Sequence, residues 1–366
     1  MLYRLLTLAK YCLRIIFAPL KLLPTQNKVV MISRKVRKTT IDFNLLETEI
    51  QSRYPDTRVV ILNHRMTNKF KHALEVLEEM YHLATSKACV IDAYTIPVSL
   101  LEHKKGLVIV QIWNALGAIK QFGHAILGRK EGNSAKLASI MRMHHGYTYA
   151  TAGGKATIPH FAKAFNMDSA KIKPIGMPRV DYLLDKAVFA SNKSRILKTY
   201  PDLKGKKVIL YAPTFRKKGE ISPQPLIEAV NYDKFALVIK QHDHDKTQIN
   251  PHQTVKFANQ FSSLELLSVA DYVITDYSAV AFEAAVLDLP LFFWAYDLDK
   301  YKKNRGLNVE YEKDMPGVVS KDPKRIIDAI EADEYNIETI INFKHRFVEV
   351  LDGTSSKRIV DLLRIG

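Results

Sequence analysis

The sequence predicts an α/β protein of two doubly wound domains facing a cleft, led by an amphipathic N-terminal helix. Three observations predict it. The chain has 366 residues, more than one ordinary core absorbs, so two domains are expected. Short runs rich in Val and Ile alternate with helical segments, the pattern of βαβ units on a parallel sheet. The alternation stops near residue 185 and restarts near 205, so both halves share one grammar without an internal repeat.

Residues 1–24, MLYRLLTLAKYCLRIIFAPLKLLP, resemble a signal peptide or a membrane span at first sight. Arg4, Lys10, Arg14 and Lys21 interrupt the run, whereas a span needs ~20 nearly uncharged residues. No small-residue cleavage site follows. At ~100° per residue these cations fall within one third of a helical wheel, and Leu2, Leu5, Leu6, Leu13, Ile16, Phe17 and Leu20 take the opposite side. Pro19 is expected to end or kink the helix. An apolar face beside a cationic edge suits a helix lying flat on an anionic membrane surface. The alternative is a helix packed on the protein's own core.

The first domain is expected over 25–190. Its strands are KVVMISR (28–34), TRVVILN (57–63), ACVIDAY (88–94) and GLVIVQIW (106–113), with helical periodicity over 66–83. YTYATAG (147–153), a helical AKAFNM stretch and IKPIGMPRVDYL (172–183) follow. The charged stretch 186–205 reads as a linker. The second domain is expected over 191–335, with strands KKVILYAP (206–213), FALVIKQH (235–242), DYVITDYS (271–278) and PLFFWAYD (290–297), and a helix AVAFEAAVL (279–287). The chain from 320 reads as mostly helical, and 336–366 as helices closing the fold. The whole is an arrangement of two Rossmann-like domains.

In open α/β sheets ligands sit beyond the carboxyl ends of the strands. There the second half carries Thr214 and Arg216; Lys240, Gln241 and His242; Thr275, Asp276, Tyr277 and Ser278, opening a helix; and Tyr296 and Asp297, with Lys302, Lys303 and Arg305 beyond. A helix N-terminus offers unpaired N–H groups to phosphate, and arginine adds bidentate pairing. Their recurrence at successive strand ends is the footprint of a nucleotide-diphosphate site. Taken singly, each has a plainer explanation. Asp276 or Ser278 can cap a helix, the Lys302–Arg305 cluster can be a solvated face, and His242 can be a hydrogen-bonded residue at a domain edge.

Composition narrows the class. The net charge of +16 points to a polyanionic partner, either phosphorylated substrates or an anionic membrane. No nucleic-acid partner is expected, because no recognition module is present and the cations sit at strand ends. A chain 47% hydrophobic and 25% charged is globular. Cys12 and Cys89 are not spaced as a pair or as a zinc site and fit a reducing cytoplasm. Neither G-x-x-x-x-G-K-[ST] nor G-x-G-x-x-G occurs, which excludes a P-loop and the standard dinucleotide fingerprint. Without H-E-x-x-H or a Cys/His cluster no tight metal cage is expected. Any Mg2+ would be a loosely bound counter-ion on donor phosphates.

The stretch ITDYSAVAFEAAVLDLPLFFWAYDLDKYKKNRGLNVEYEKDMPG (274–317) resembles the C-terminal signature of the CDP-glycerol glycerophosphotransferase family of wall teichoic acid enzymes. YAPTFR (211–216), GMPRVDYL (176–183) and LDGTSSKRIVDLL (351–363) match further elements, and the resemblance covers roughly 105–365. It implies a GT-B fold carrying phosphotransferase chemistry. A hydroxyl of a lipid-linked acceptor attacks the β-phosphorus of CDP-glycerol, and CMP leaves. By this resemblance Arg216, Lys240, Thr275, Asp276, Ser278 and Arg305 bind the donor, and His242 holds the pyrophosphate or protonates the leaving group. Trp113, Lys120 and Asp181 fall on the acceptor side. The short length and the form W-x-A-x-G-A-x-K-x-F-G are similar to the primase branch, which adds the first glycerol phosphate to undecaprenyl-diphosphate-linked ManNAc–GlcNAc. Addition of the second glycerol phosphate and short-chain polymerisation are the neighbouring readings. Work at the cytoplasmic face of the plasma membrane, beside other teichoic acid enzymes, follows.

The family's usual W-H-G is Trp113-Asn114-Ala115 here. Its histidine is the proposed general base, and an amide cannot take that proton. Asn114 is therefore expected to orient the acceptor hydroxyl or a phosphate oxygen. His124 is a catalytic candidate as replacement base, with His144, His145, Asp181 and Asp276 as further options. The turn reads DYSA, so Ala279 stands where the family has a second serine. Two other classes compete: a GT-B nucleotide-sugar glycosyltransferase, and an inactive membrane-associated binding protein.

Overall fold

The Val- and Ile-rich runs form parallel strands throughout. The computed structural model describes residues 1–34, 39–63, 69–214, 222–241 and 255–366. They fall into two units, Met1–Asp181 with Asp352–Gly366, and Tyr182–Leu351.

In chain order the first unit contains α1 (Leu2–Leu20), β1 (Lys28–Ser33), α2 (Ile41–Arg53), β2 (Arg58–Asn63), α3 (Lys69–Thr85), β3 (Ala88–Ile91), α4 (Ile96–Leu100), β4 (Val108–Gln111), α5 (Ala135–Ile140), β5 (Tyr149–Thr151), α6 (Ile158–Phe165), β6 (Ile172–Lys173) and α7 (Pro178–Leu184). Its sheet order is β2-β1-β3-β4-β5-β6, all parallel. Alternate residues of β1 serve opposite faces, as the period of a strand requires. Val30 and Ile32 pack with Phe17, Met80 and Phe161. Val29 and Met31 pack with Phe43, Leu46 and Ile50. Both faces are covered, so the strands read as unbroken apolar runs.

The second unit contains α8 (Lys186–Thr199), β7 (Lys207–Tyr211), α9 (Gln224–Ala229), β8 (Phe235–Ile239), β9 (Lys256–Phe257), α10 (Ser263–Leu266), β10 (Tyr272–Thr275), α11 (Val280–Val286), β11 (Leu291–Trp294), α12 (Leu298–Asn304), α13 (Tyr311–Asp314), β12 (Val319–Ser320), α14 (Pro323–Glu331) and α15 (Ile337–Phe347). The last helix, α16 (Ser355–Leu363), belongs to the first unit. The second sheet runs β12-β11-β10-β7-β8-β9, again all parallel.

Several boundaries differ from the sequence reading. The expected linker 186–205 is largely helix α8, capped by the Asp185 carboxylate on the N–H groups of Ala187 and Val188 and anchored by buried Asn192 and Ile196. The units divide between Asp181 and Tyr182, inside α7, and not at 190. Residues 336–366 do not act as one closing block. Helix α15 stays with the second unit through Phe343, which stacks on Phe282 at 5.3 Å. Helix α16 instead buries Ile359, Val360 and Leu363 beside α2.

Helix α1 also turns differently from the wheel. Phe17 is buried in the first unit's core, with Leu13 and Leu20 packed against it. The inward side carries Lys10, Arg14 and Lys21 half-buried, and Arg14 donates to the Leu100 carbonyl. The exposed side also carries apolar residues, Leu5, Leu8, Tyr11, Ile15 and Ile16. Among the described residues no helix is long and apolar enough to cross a membrane.

Candidate active site

In the second sheet β8 and β9 extend from β7 in one direction, and β10, β11 and β12 in the other. The winding reverses between β7 and β10, and a doubly wound sheet binds its ligand at the carboxyl side of such a point. YAPT and TDYS end on this crevice. Thr275, fully buried at the end of β10, donates its Oγ1 proton to the Ala212 carbonyl at 2.8 Å. Asp276, also buried, accepts the Thr214 N–H at 2.8 Å, and Tyr311 donates to the Asp276 carbonyl at 2.7 Å. Tyr277 donates to Asp297 at 3.0 Å and stacks on Tyr301 at 3.9 Å. Burial, with Asp297 and Asp276 adding, pushes the Tyr277 phenol far up, so it acts as a donor. These bonds tie the turns after β7, β10 and β11 into one edge.

The expected donor residues take different places on that edge. Thr275 and Asp276 spend their side chains on the bonds to Ala212 and Thr214. Ser278 is half-buried, and its Oγ accepts the Val280 N–H at a long 3.5 Å. Arg305 is half-buried at the end of α12, one turn beyond Tyr301, and Gly306 (φ +92°) closes that helix. Lys240 directs its Nζ to the Asn259 carbonyl at 3.0 Å, on the β9 side. Arg216 and His242 lie outside the described residues. A cavity of about 710 Å3 lined by Gly317, Asn336, Thr339 and Arg346 lies elsewhere, beside the start of β12. Among the described residues no His, Cys, Asp and Glu cluster of metal-binding form occurs.

In the first unit Trp113 and Asn114 follow β4. Trp113 has φ +55°, a left-handed conformation costly for a bulky side chain. The other non-glycine residues at positive φ lie just past helix ends, except His144 at +61°. The two touch, their rings 5.8 Å apart edge to face. Trp113 stacks on Phe122 at 4.5 Å, and its N–H donates to Gln111 Oε1 at 2.8 Å. Gln111 is fully buried and donates to the Ala93 carbonyl at 3.2 Å. Arg179 donates to the Asn114 carbonyl at 3.0 Å and pairs with buried Asp42 at 2.5 Å. The backbone carrying Asn114 is thus clamped from both sides. Its amide is half-buried and makes no hydrogen bond among the described residues. Lys120 is half-buried on the same loop.

The replacement bases fare unevenly. His124 donates from Nε2 to the Met143 carbonyl at 2.8 Å, which leaves Nδ1 as its acceptor nitrogen. Its ring lies 6.4 Å from His144, so it joins the aromatic cluster around Trp113. Burial, then His124, lowers His144 to about 3, and its Nδ1 meets the Tyr147 hydroxyl at 2.9 Å. His144 is a neutral packing residue. His145 sits against Arg142 at 2.8 Å and is lowered by burial and then by that cation. Asp181 accepts from Ser355 N at 2.9 Å, Ser356 N at 2.7 Å and Ser356 Oγ at 2.7 Å. It caps α16, a role shared by two motifs that read as separate in sequence.

Sequence reasoning passed over other groups. Ser33 donates to Asp92 at 2.8 Å across β1 and β3, the reversal point of the first sheet. Arg34 pairs with fully buried Glu79 at 3.0 Å. Gln111 carried a signal, a polar residue closing the apolar strand VIVQ. Asp42 carried none, being placed by tertiary contact with Arg179.

The comparisons with known proteins fit this geometry. The family model for CDP-glycerol:poly(glycerophosphate) glycerophosphotransferase matches residues 16–364, well beyond the resemblance over 105–365. The chain is 31% identical to a teichoic acid ribitol-phosphate primase of Bacillus spizizenii, covering 93% of this chain and 92% of that one. It is 28% identical to a teichoic acid glycerol-phosphate primase of Bacillus subtilis, covering 80% and 77%. The solved wall teichoic acid polymerase TagF superposes with a TM-score of 0.78 over 99% of this chain and 96% of that one, at 23% identity, which supports the two-domain GT-B fold. The chain belongs to the CDP-glycerol:poly(glycerophosphate) glycerophosphotransferase family, transferases of teichoic acid biosynthesis.

Proposed function

We propose that this protein transfers a polyol phosphate from a CDP-polyol to a lipid-linked disaccharide at the cytoplasmic membrane face, the priming step of a teichoic acid chain. The observation that carries the reading is the meeting of YAPT and TDYS at the reversal point of the second sheet, where Asp276 accepts the Thr214 N–H. The acceptor hydroxyl oxygen bonds to the β-phosphorus, the bond to CMP breaks, and the hydroxyl proton leaves. Arg216 and Arg305 neutralise phosphoryl oxygens, Lys240 and Ser278 border the donor, and His242 hydrogen-bonds the pyrophosphate or protonates CMP. Asn114, with Trp113 and Lys120 on its loop, orients the acceptor hydroxyl. Positioning and charge neutralisation carry most of phosphoryl transfer through a loose transition state, so an orienting amide suffices where a strong base is absent.

CDP-glycerol is the donor of the family's description and of the sequence motifs. CDP-ribitol is the second reading, because the similarity to the ribitol-phosphate primase is higher and covers more of both chains. The test supplies purified protein with CDP-glycerol, CDP-ribitol or UDP-sugars and a short-chain lipid-linked disaccharide, and measures the released nucleotide. CMP release from one CDP-polyol, dependent on acceptor, is expected. UDP release, or no CMP from either donor, overturns the reading.

A further inference from the structure

Attack by the acceptor hydroxyl frees one proton, and the Asn114 amide cannot take it. The loop that carries Asn114 brings a second group close by. It leaves Trp113 and returns at Phe122, and these two rings stack with centroids 4.5 Å apart. Asn114 directly follows the first ring, and Gly123 and His124 directly follow the second. Successive Cα atoms are only ~3.8 Å apart, so Asn114 and His124 both lie at the closed end of this loop.

The returning stem is tightly built. Gly123 has φ +56°, and a Cβ there would stand 2.3 Å from the Ala164 carbonyl oxygen of α6. Glycine alone allows that approach, and it sets His124 against Met143. The His124 Nε2 donates to the Met143 carbonyl at 2.8 Å. A carbonyl only accepts, so the neutral ring carries its proton on Nε2 and its lone pair on Nδ1. Among the described residues Nδ1 has no hydrogen-bond partner, and it reaches solvent. The neighbouring acceptors are committed elsewhere. His144 Nδ1 is buried against the Tyr147 hydroxyl, both ring nitrogens of His145 face Arg142, and Asp181 caps α16.

We propose that Nδ1 of His124 is the general base that receives the acceptor proton, in place of the imidazole that position 114 lacks. The proposal rests on the transfer reaction proposed above and supplies its proton path. The acceptor oxygen bonds to phosphorus, the phosphorus–oxygen bond to CMP breaks with its electron pair leaving on CMP, and the hydroxyl proton passes to Nδ1. The Met143 carbonyl, holding Nε2–H, stabilises the imidazolium. His144, 6.4 Å away, is kept neutral by burial, so the new cation meets no second charged imidazole. The imidazolium returns its proton to solvent through the same open nitrogen. A loose transition state asks little of a base until the new bond forms, which suits an imidazole placed beside the orienting amide.

The test measures CMP release by the full chain with a CDP-polyol and the short-chain lipid-linked disaccharide. His124→Gln, with His124→Asn as a second replacement should the longer amide not fold, keeps a donor for the Met143 carbonyl and removes the proton acceptor. The loss in kcat is expected to be ~10²-fold, the low end for general bases, with the donor KM within about twofold of the parent. Adding Asn114→His to the variant is expected to regain at least about tenfold. An acceptor with fluorine beside its reacting hydroxyl gives up its proton more readily, and is expected to narrow the gap between parent and variant about tenfold. Equal kcat in parent and variant overturns the assignment. A loss that neither the second histidine nor the fluorinated acceptor reduces also overturns it and makes His124 a packing residue. So does an equal loss in His145→Gln, the mark of a general loosening of this segment. Absence of CMP release by the parent overturns the transfer reading and this assignment together, whereas parent release untouched by His124→Gln overturns this assignment alone.

Discussion

Replacing Asp181 with alanine tests whether its carboxylate holds the fold or the acceptor. The side chain accepts three hydrogen bonds from the first turn of α16, two from backbone N–H groups and one from the Ser356 hydroxyl. Ser355 and Ser356 are both buried, so water cannot replace the lost acceptor. Losing a helix cap costs ~0.5–2 kcal/mol, and a stranded buried donor adds ~1–3 kcal/mol. A total of roughly 2–4 kcal/mol is expected, local to α16 and the face where Ile359, Val360 and Leu363 dock. Asp181→Asn keeps one acceptor oxygen but loses the charge at the helix N-terminus, worth ~0.3–1 kcal/mol, so it falls between. Native-state hydrogen exchange over 355–363 reads the opening directly. Ser356→Ala combined with Asp181→Ala is expected to be non-additive, because the two side chains share a bond. CMP release per folded molecule is expected to stay near the parent value. Parent-like protection of α16 together with lost turnover refutes the capping role and returns Asp181 to the acceptor side.

Two further outcomes follow from the first unit. Asn114→Ala is expected to lower kcat more than it weakens donor binding, and Asn114→His to raise kcat by restoring a proton acceptor, a gain bounded by the ~10²–10⁴-fold of general bases; equal kcat in all three proteins removes Asn114 from the chemistry. His82 and His144 are held by burial at about 4 and about 3, against an ordinary 6.5. The unfolded chain therefore takes up protons first, and stability, full above about pH 6.5, falls as pH drops toward 3. Glu79 runs the other way, because burial raises its carboxyl to about 7 and its stabilisation is lost as pH rises through that value. Urea midpoints of His144→Gln are expected to fall less steeply with acid than those of the parent, and an unchanged slope refutes the assignment.

The parallel sheets were legible because burial on two faces leaves a direct trace, apolar strands rich in Val and Ile of five or six residues. The edge of the second sheet was legible for a similar reason, since TDYS and YAPT follow such runs at once. Helix α1 was legible as a two-sided helix with two possible seats, because a helical wheel finds two sides but not which one the protein covers. Phe17 chose the packed side, and that choice turned Leu8 and Ile15 outward and three cations inward. The segment 186–199 looked like a linker because its apolar side is small, and its helix rests on the Asp185 cap and on Asn192 and Ile196. Trp113 gave no sign of its left-handed backbone, which the Gln111 side chain two residues before it and the contact with His144, distant in sequence, hold in place.

Asp181 and Thr275 show where motif reading reaches its natural limit. A carboxylate that binds a substrate hydroxyl and one that caps a helix need the same atoms: an acceptor oxygen, fixed, near N–H and O–H donors. G-x-P-R-x-D and D-G-x-x-S therefore resemble two halves of a binding site, although here they close on each other. Arg179 in the same motif locks Asp42 and the Asn114 carbonyl, and Thr275 spends its hydroxyl on Ala212. A catalytic edge assembled from loop ends must be fixed by such bonds before it can fix a substrate. Several residues of the signature accordingly serve the rigidity of the site, and in the function proposed above the contacts to phosphate are assigned to the half-buried groups beside them, Ser278 and Arg305. Substitutions at the two kinds of position should separate cleanly, with α16 protection or unfolding moving for the first and the donor concentration needed for CMP release moving for the second.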